Sequence, residues 1–128
     1  MRPELDQRLC ERYPQVFADR QLPTTQSLMG WGFMCGDGWF ELIDTLCKDL
    51  QQRTDRDGAP QILAQQVKEK DGVLHFYVGA RDDIQAEMIA TAAKQSQLIC
   101  EACGRPGELI RSSPPRTRCG RCQDFRPQ

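Results

Sequence analysis

The chain holds 128 residues with a net charge of −1, and 39% of them are hydrophobic against 27% charged. Such a balance suits one globular body with a modest core and excludes a predominantly disordered chain. No apolar run reaches the length of a bilayer span, and the opening MRPELDQRLCERY carries acids where a signal peptide needs an apolar stretch, so a cytoplasmic protein without membrane contact is expected.

Pro3 stands where a helix favours its first residue, and Leu5, Leu9 and Arg12/Tyr13 follow at helical spacing until Pro14. A short first helix is expected, then Val16 and Phe17 packed in a turn or short helical piece before the Leu22-Pro23 break. In residues 29–40, MGWGFMCGDGWF, glycines alternate with the largest side chains; core packing is the favoured reading of Trp31 and Phe33, an exposed anchor the alternative. Asp37 is placed to cap a helix that runs to about Gln52 with Trp39, Ile43, Leu46, Cys47 and Leu50 on one stripe. A polar loop from Thr54 to Pro60 follows.

Residues 62–78 read as a β-hairpin turning at Asp71-Gly72, a dipeptide that tolerates the positive φ of a tight turn. Its second arm alternates cleanly, with Leu74, Phe76 and Val78 against Val73, His75 and Tyr77. The first arm, ILAQQVKEK, suits a helix as well. Asp82 with Gln85 forms a capping-box pattern, and Ile84, Met88, Ile89, Ala92 and Ile99 then define an amphipathic helix ending at Cys100. The fold expected is α+β: a small antiparallel sheet packed with helices in residues 1–99, a metal unit in residues 100–124 packed on that body, and a frayed tail at 125–128.

That unit rests on Cys100, Cys103, Cys119 and Cys122, two Cys-x-x-Cys pairs separated by fifteen residues. The spacing is that of a zinc ribbon or treble-clef-like knuckle, in which each pair turns back on itself to aim two thiolates at one tetrahedral Zn²⁺. Gly104 and Gly120 supply permissive backbone for those turns, and short strands at Glu108 to Arg111 and Arg116 to Arg118 fit between them. Four unrelated thiols, or two disulfides, are the alternative. Four sulfur ligands close the coordination sphere, so one structural Zn²⁺ per chain is expected. Cys10, Cys35 and Cys47 read as reduced, half-buried small hydrophobes.

Charge is uneven: six arginines stand against three acids from residue 100 onward, a net of +3 that leaves −4 for residues 1–99. Arg111, Arg116, Arg118 and Arg121 are therefore candidate contacts for a partner protein or for phosphates, with Phe125 available for stacking and Trp31 as a candidate anchor. His75, the one histidine, reads as a rim side chain rather than a general base. Asp37, Glu41, Asp44 and Lys48 read as a solvated helix face with an Asp44–Lys48 ion pair. An enzyme is the least favoured class, since no Walker loop or dinucleotide fingerprint is present.

The succession WGFMCGDGWFELID, QVKEKDGVLHFYV, ICEACGRPGELIR and the closing CGRC resembles a group of small bacteriophage- and prophage-encoded zinc-knuckle proteins, described mainly as hypothetical proteins. The resemblance extends from about Gln26 onward. Asp71 stands where that group commonly has an aromatic, and His75 where it commonly has Arg. The resemblance implies a phage context and no established reaction. In that context a small, metal-stapled, non-enzymatic protein is expected to bind a host protein, inhibition of a defence complex such as a CRISPR effector being one version. A nucleic-acid-binding module and a small enzyme are the alternatives.

Overall fold

The computed structural model describes residues 1–123; Asp124, Phe125 and the tail expected at 125–128 lie outside them. Helix α1 spans Pro3–Arg12, with the proline in its first turn and Leu5 and Leu9 buried. The chain then turns so that Val16 and Phe17 enter the core, where Phe17 packs edge-on against Phe33 at 5.0 Å and Phe76 at 6.3 Å between ring centroids. Edge-to-face contacts of this kind suit the aromatic quadrupole and add to the burial of the rings.

Helix α2 spans Phe40–Asp57 and buries Ile43, Leu46, Cys47 and Leu50 of the stripe expected from spacing, together with Phe40; Trp39 is buried too but lies in the turn before the helix. Its ends differ from expectation. Asp37 is not the cap: it lies in a 3-10 turn, Asp37–Trp39, where Oδ1 accepts the Arg2 N–H at 2.7 Å. The helix also continues past Gln52 to Asp57, because Gly58 is the residue that takes a left-handed φ of 70° and closes the end on the Thr54 carbonyl. The expected Asp44–Lys48 pair is replaced by a tertiary one. Asp44 Oδ1 accepts from Arg12 at 3.0 Å and from the Tyr13 hydroxyl at 2.8 Å, tying α2 to the end of α1.

The central sheet has three strands in the order β1-β2-β3: β1 is Phe33–Met34, β2 Ala64–Lys70 and β3 Val73–Val78. Asp71 and Gly72, with φ of 53° and 83°, make the two-residue turn of the β2–β3 hairpin. The ambiguous first arm is therefore strand. The sheet is mixed rather than purely antiparallel, since β1 runs parallel to β2. Two residues are too short to show a period, and β1 exists because Gly32, at φ 78°, swings the chain out of the preceding turn so that Phe33 lies beside Val67.

Helix α3, Asp83–Ser96, opens on the expected capping box: Asp82 Oδ1 accepts the Gln85 N–H at 2.8 Å and Gln85 Oε1 accepts that of Asp82 at 2.9 Å. It touches both α2 and β3. Of the expected stripe Ala92 is buried and Met88, Ile89 and Ile99 pack half-buried against the core, while Ile84 is 48% exposed; Gln85 and Ser96 join the buried face, and the helix stops at Ser96, short of Cys100. Polar side chains can face inward here because each finds a partner. Gln85 Nε2 donates to the Pro60 carbonyl at 2.8 Å, and Ser96 Oγ accepts the Leu74 N–H at 2.9 Å.

Candidate metal centre

After α3 the chain passes Leu98 and Ile99 and folds into a small two-stranded unit, β4 (Glu108–Ile110) antiparallel to β5 (Arg116–Arg118). The first Cys-x-x-Cys pair closes on its own backbone, the Gly104 N–H reaching the Cys100 carbonyl and the Cys100 N–H the Arg105 carbonyl, both at 2.8 Å. Gly104 has φ 81°, a conformation that favours glycine. The second pair closes through the Cys122 N–H on the Cys119 carbonyl at 3.1 Å. Gly120 needs no special backbone there.

These two turns bring the four sulfurs within 4.8 Å of one another, with 3.6 Å between Cys103 and Cys119. Metal–sulfur bonds of about 2.3 Å in a tetrahedron require sulfurs about 3.8 Å apart. The cluster thus fits one metal ion held by sulfur alone. Burial raises the Cys100 thiol, but the backbone N–H groups of Cys119, Cys103 and Ala102 outweigh it and hold the group below its usual range. Cys119 is likewise held down against burial, to about 6, by the Cys103 sulfur, the Arg121 amide and the Cys122 sulfur. Cys122 is pushed up to about 12, first by its contact with the Cys119 sulfur and then by burial. The Arg105 amide pulls Cys103 down, yet burial and the Cys119 and Cys100 sulfurs together leave it raised. Two of the four sulfurs are thus held below the usual thiol range and two above it, and a cation bound among them would favour the deprotonated form of all four.

The unit is fastened to the body through Glu101. This carboxylate is buried, taking the Gly36 N–H on Oε2 at 2.8 Å and Arg118 Nη1 on Oε1 at 2.8 Å. Its backbone carbonyl accepts the Gly38 N–H at 2.7 Å. Trp39, fully buried, donates its indole N–H to the Ile99 carbonyl at 2.9 Å, and Thr117 donates to the Gly72 carbonyl at 2.7 Å. A side chain at Gly36 or Gly38 would collide with the backbone of Glu101 or Cys100. Sequence reasoning missed Glu101; the glycines of the 29–40 segment were the available signal, since they mark a close backbone approach.

Arg111 and Arg121 are exposed and Arg116 half-buried, so three of the four candidate arginines reach solvent. Arg118 does not: it is 1% exposed and committed to Glu101, which removes it as a surface contact. The cause is local, because β5 buries both Thr117 and Arg118 where the unit lies against the body. Trp31 departs from the favoured core reading. It is 60% exposed at the end of the 3-10 turn Leu28–Trp31, while Phe33 is buried.

His75 is half-buried and stacks on Tyr77, whose hydroxyl lies 3.2 Å from Nδ1. Neither Asp37 nor Glu41 is joined to it. Cys35 and Cys47 are buried and Cys10 half-buried, all as free thiols. Burial pushes all three up, Cys35 to about 12, which suits the small-hydrophobe reading. Among the described residues no helix is long and apolar enough to cross a membrane. Comparison with known proteins finds no matching family model, no matching curated protein and no matching solved structure.

Proposed function

We propose that the chain is a non-enzymatic, zinc-stabilised binding module that engages another protein through the Trp31 turn, with Arg111 and Arg121 as polar contacts on the metal unit. The observation that carries this reading is the placement of Trp31. A large aromatic held out of the core exposes apolar area that a partner can bury, and tryptophan is the residue most enriched at binding hot spots. The turn beneath it is braced: Arg20 Nη1 donates to the Gly30 carbonyl at 2.8 Å while its Nη2 pairs with Asp6 at 3.0 Å. A pre-ordered anchor loses little conformational entropy on binding. Zinc is the metal proposed because four cysteine sulfurs with no open position are its usual structural set. The resemblance to phage and prophage proteins makes the partner a host bacterial protein, a defence effector such as a CRISPR complex being the concrete case.

The test is capture from bacterial host lysate with nuclease-treated and untreated arms. A specific protein should be recovered in both arms and lost with Trp31→Ala, and weakened with Arg111→Glu combined with Arg121→Glu, while each variant keeps one zinc per chain. Material recovered only without nuclease would instead favour phosphate binding by the arginines, which weakens steeply as salt is raised. Metal analysis that finds no zinc, or zinc retained in Cys103→Ser with Cys119→Ser, would overturn the metal assignment.

A further inference from the structure

We propose that the free edge of β3, walled by α3, is a docking groove for an extended segment of a partner protein with an acidic side chain at its N-terminal end, added to the sheet as a fourth strand. β3 is the last strand of its sheet, with β2 on one side and no described strand on the other. In an antiparallel pair alternate residues turn both N–H and C=O away from the neighbouring strand. Leu74 gives its N–H to Ser96 Oγ on α3 rather than to β2. That fixes the even-numbered residues as the outward ones, so the Phe76 main-chain N–H and C=O point to the same edge, about 7 Å further along, on a residue that is itself 6% exposed.

Beside this edge runs a groove of about 370 Å³, lined by the whole of β3, by Arg81, and by Ala86, Ile89, Ala90 and Ala93 of α3. Strand addition needs both parts: a row of main-chain donors and acceptors for affinity, and room for alternate side chains for specificity. The short side chains of Ala86, Ala90 and Ala93 leave that room on the helical wall. Among the described lining residues Arg81 alone carries a fixed charge. It is exposed, and Nη1 bonds to the Gly79 carbonyl at 3.0 Å, which keeps the guanidinium at the Val78 end of the edge. Antiparallel pairing is the more stable arrangement, and it puts the N-terminal residues of the incoming segment beside Arg81. An aspartate or glutamate there, followed by apolar side chains at every second position, matches the groove. Because Ser96 already occupies the Leu74 end, the open run is short. That suits one peptide segment over edge-to-edge pairing with a second copy of the chain.

The inference does not depend on the Trp31 reading and is tested separately. Two displayed libraries of random decapeptides, one with Asp and one with Lys fixed at the second position, are panned on the zinc-loaded protein. Binders should emerge from the Asp library, and Arg81→Glu should weaken them about tenfold or more. Ala90→Arg, at an exposed position that fills the groove, should abolish binding, while Trp31→Ala should leave it unchanged. In the unmodified protein the Phe76 amide should exchange more slowly with solvent once the peptide is bound, a readout that survives any variant that fails to fold. Failure of both libraries, peptides indifferent to Ala90→Arg in a folded variant, protection that maps to the α2–α3 side instead of Phe76, or a peptide-free dimer that protects Phe76 would each overturn the proposal.

Discussion

Glu101 holds together two parts of the chain that are far apart in sequence. Its side chain lies between the Gly36 amide and Arg118, both contacts at 2.8 Å, and its own exposure is 4%. Breaking a buried charge pair by truncating one member costs about 3–5 kcal/mol, whereas replacing both members with apolar groups is often much milder. Glu101→Ala should therefore lower unfolding stability by about 3 kcal/mol or more in a denaturant titration. Glu101→Met with Arg118→Met should recover part of that loss. A single-variant loss below about 1 kcal/mol would mean that the pair does not fasten the unit to the body. Gly38→Ala tests the same junction from the other side. The added methyl group meets the Cys100 carbonyl, which is backbone and cannot rotate away, so the variant should lose metal as well as stability.

At the level of elements, Asp82 combines two roles, since it caps α3 and accepts Arg53 Nη2 at 2.7 Å from α2. The Arg53 hydrogen bond, then the Gln85 amide, hold its carboxyl below the usual range. A depressed folded value means that the contribution is complete above the ordinary carboxylate value near 4 and is lost as pH falls through the lower folded value. Asp82→Asn, which keeps a capping oxygen and removes the charge, should lower the thermal midpoint at neutral pH less than Asp82→Ala does. The gap between wild type and Asp82→Asn should narrow as pH falls below the ordinary carboxylate range, and a gap that does not change with pH would refute the ionic component. The capping box and the Asp71-Gly72 turn were legible because each is set by local backbone geometry that a few residues dictate. The strand character of ILAQQVKEK was not, because β1 and β3 supply it from outside the segment. The inward positions of Gln85 and Ser96 on α3 escaped an apolar count since both are polar residues satisfied by tertiary partners. The four cysteines could be read from spacing alone; Arg118 was misplaced because its burial depends on Glu101, a pairing that spacing does not encode.

The molecule as a whole behaves as one cooperative body if the metal unit and the helices share their stability, and the junction makes that a measurable claim. Links from Glu101 to Gly36 and Gly38, from Trp39 to Ile99 and from Thr117 to Gly72 join the unit to the turn that leads into α2 and to the hairpin. Binding of a structural zinc is worth on the order of 10 kcal/mol, comparable with the entire stability of a domain this size. Removing the metal by chelation should therefore unfold the body as well as the unit. The two tryptophans separate these outcomes, since Trp31 is 60% exposed and Trp39 is fully buried. In a Trp31→Phe variant the remaining emission comes from Trp39, whose indole N–H rests on the Ile99 carbonyl immediately before the first metal ligand. Chelation should shift that emission to the red, with the same midpoint as the loss of helical circular dichroism from α1, α2 and α3. Cys103→Ser with Cys119→Ser should give the shifted spectrum without chelator. An unshifted Trp39 spectrum with helices intact after complete metal loss would show instead that the unit unfolds alone and that the body stands without it.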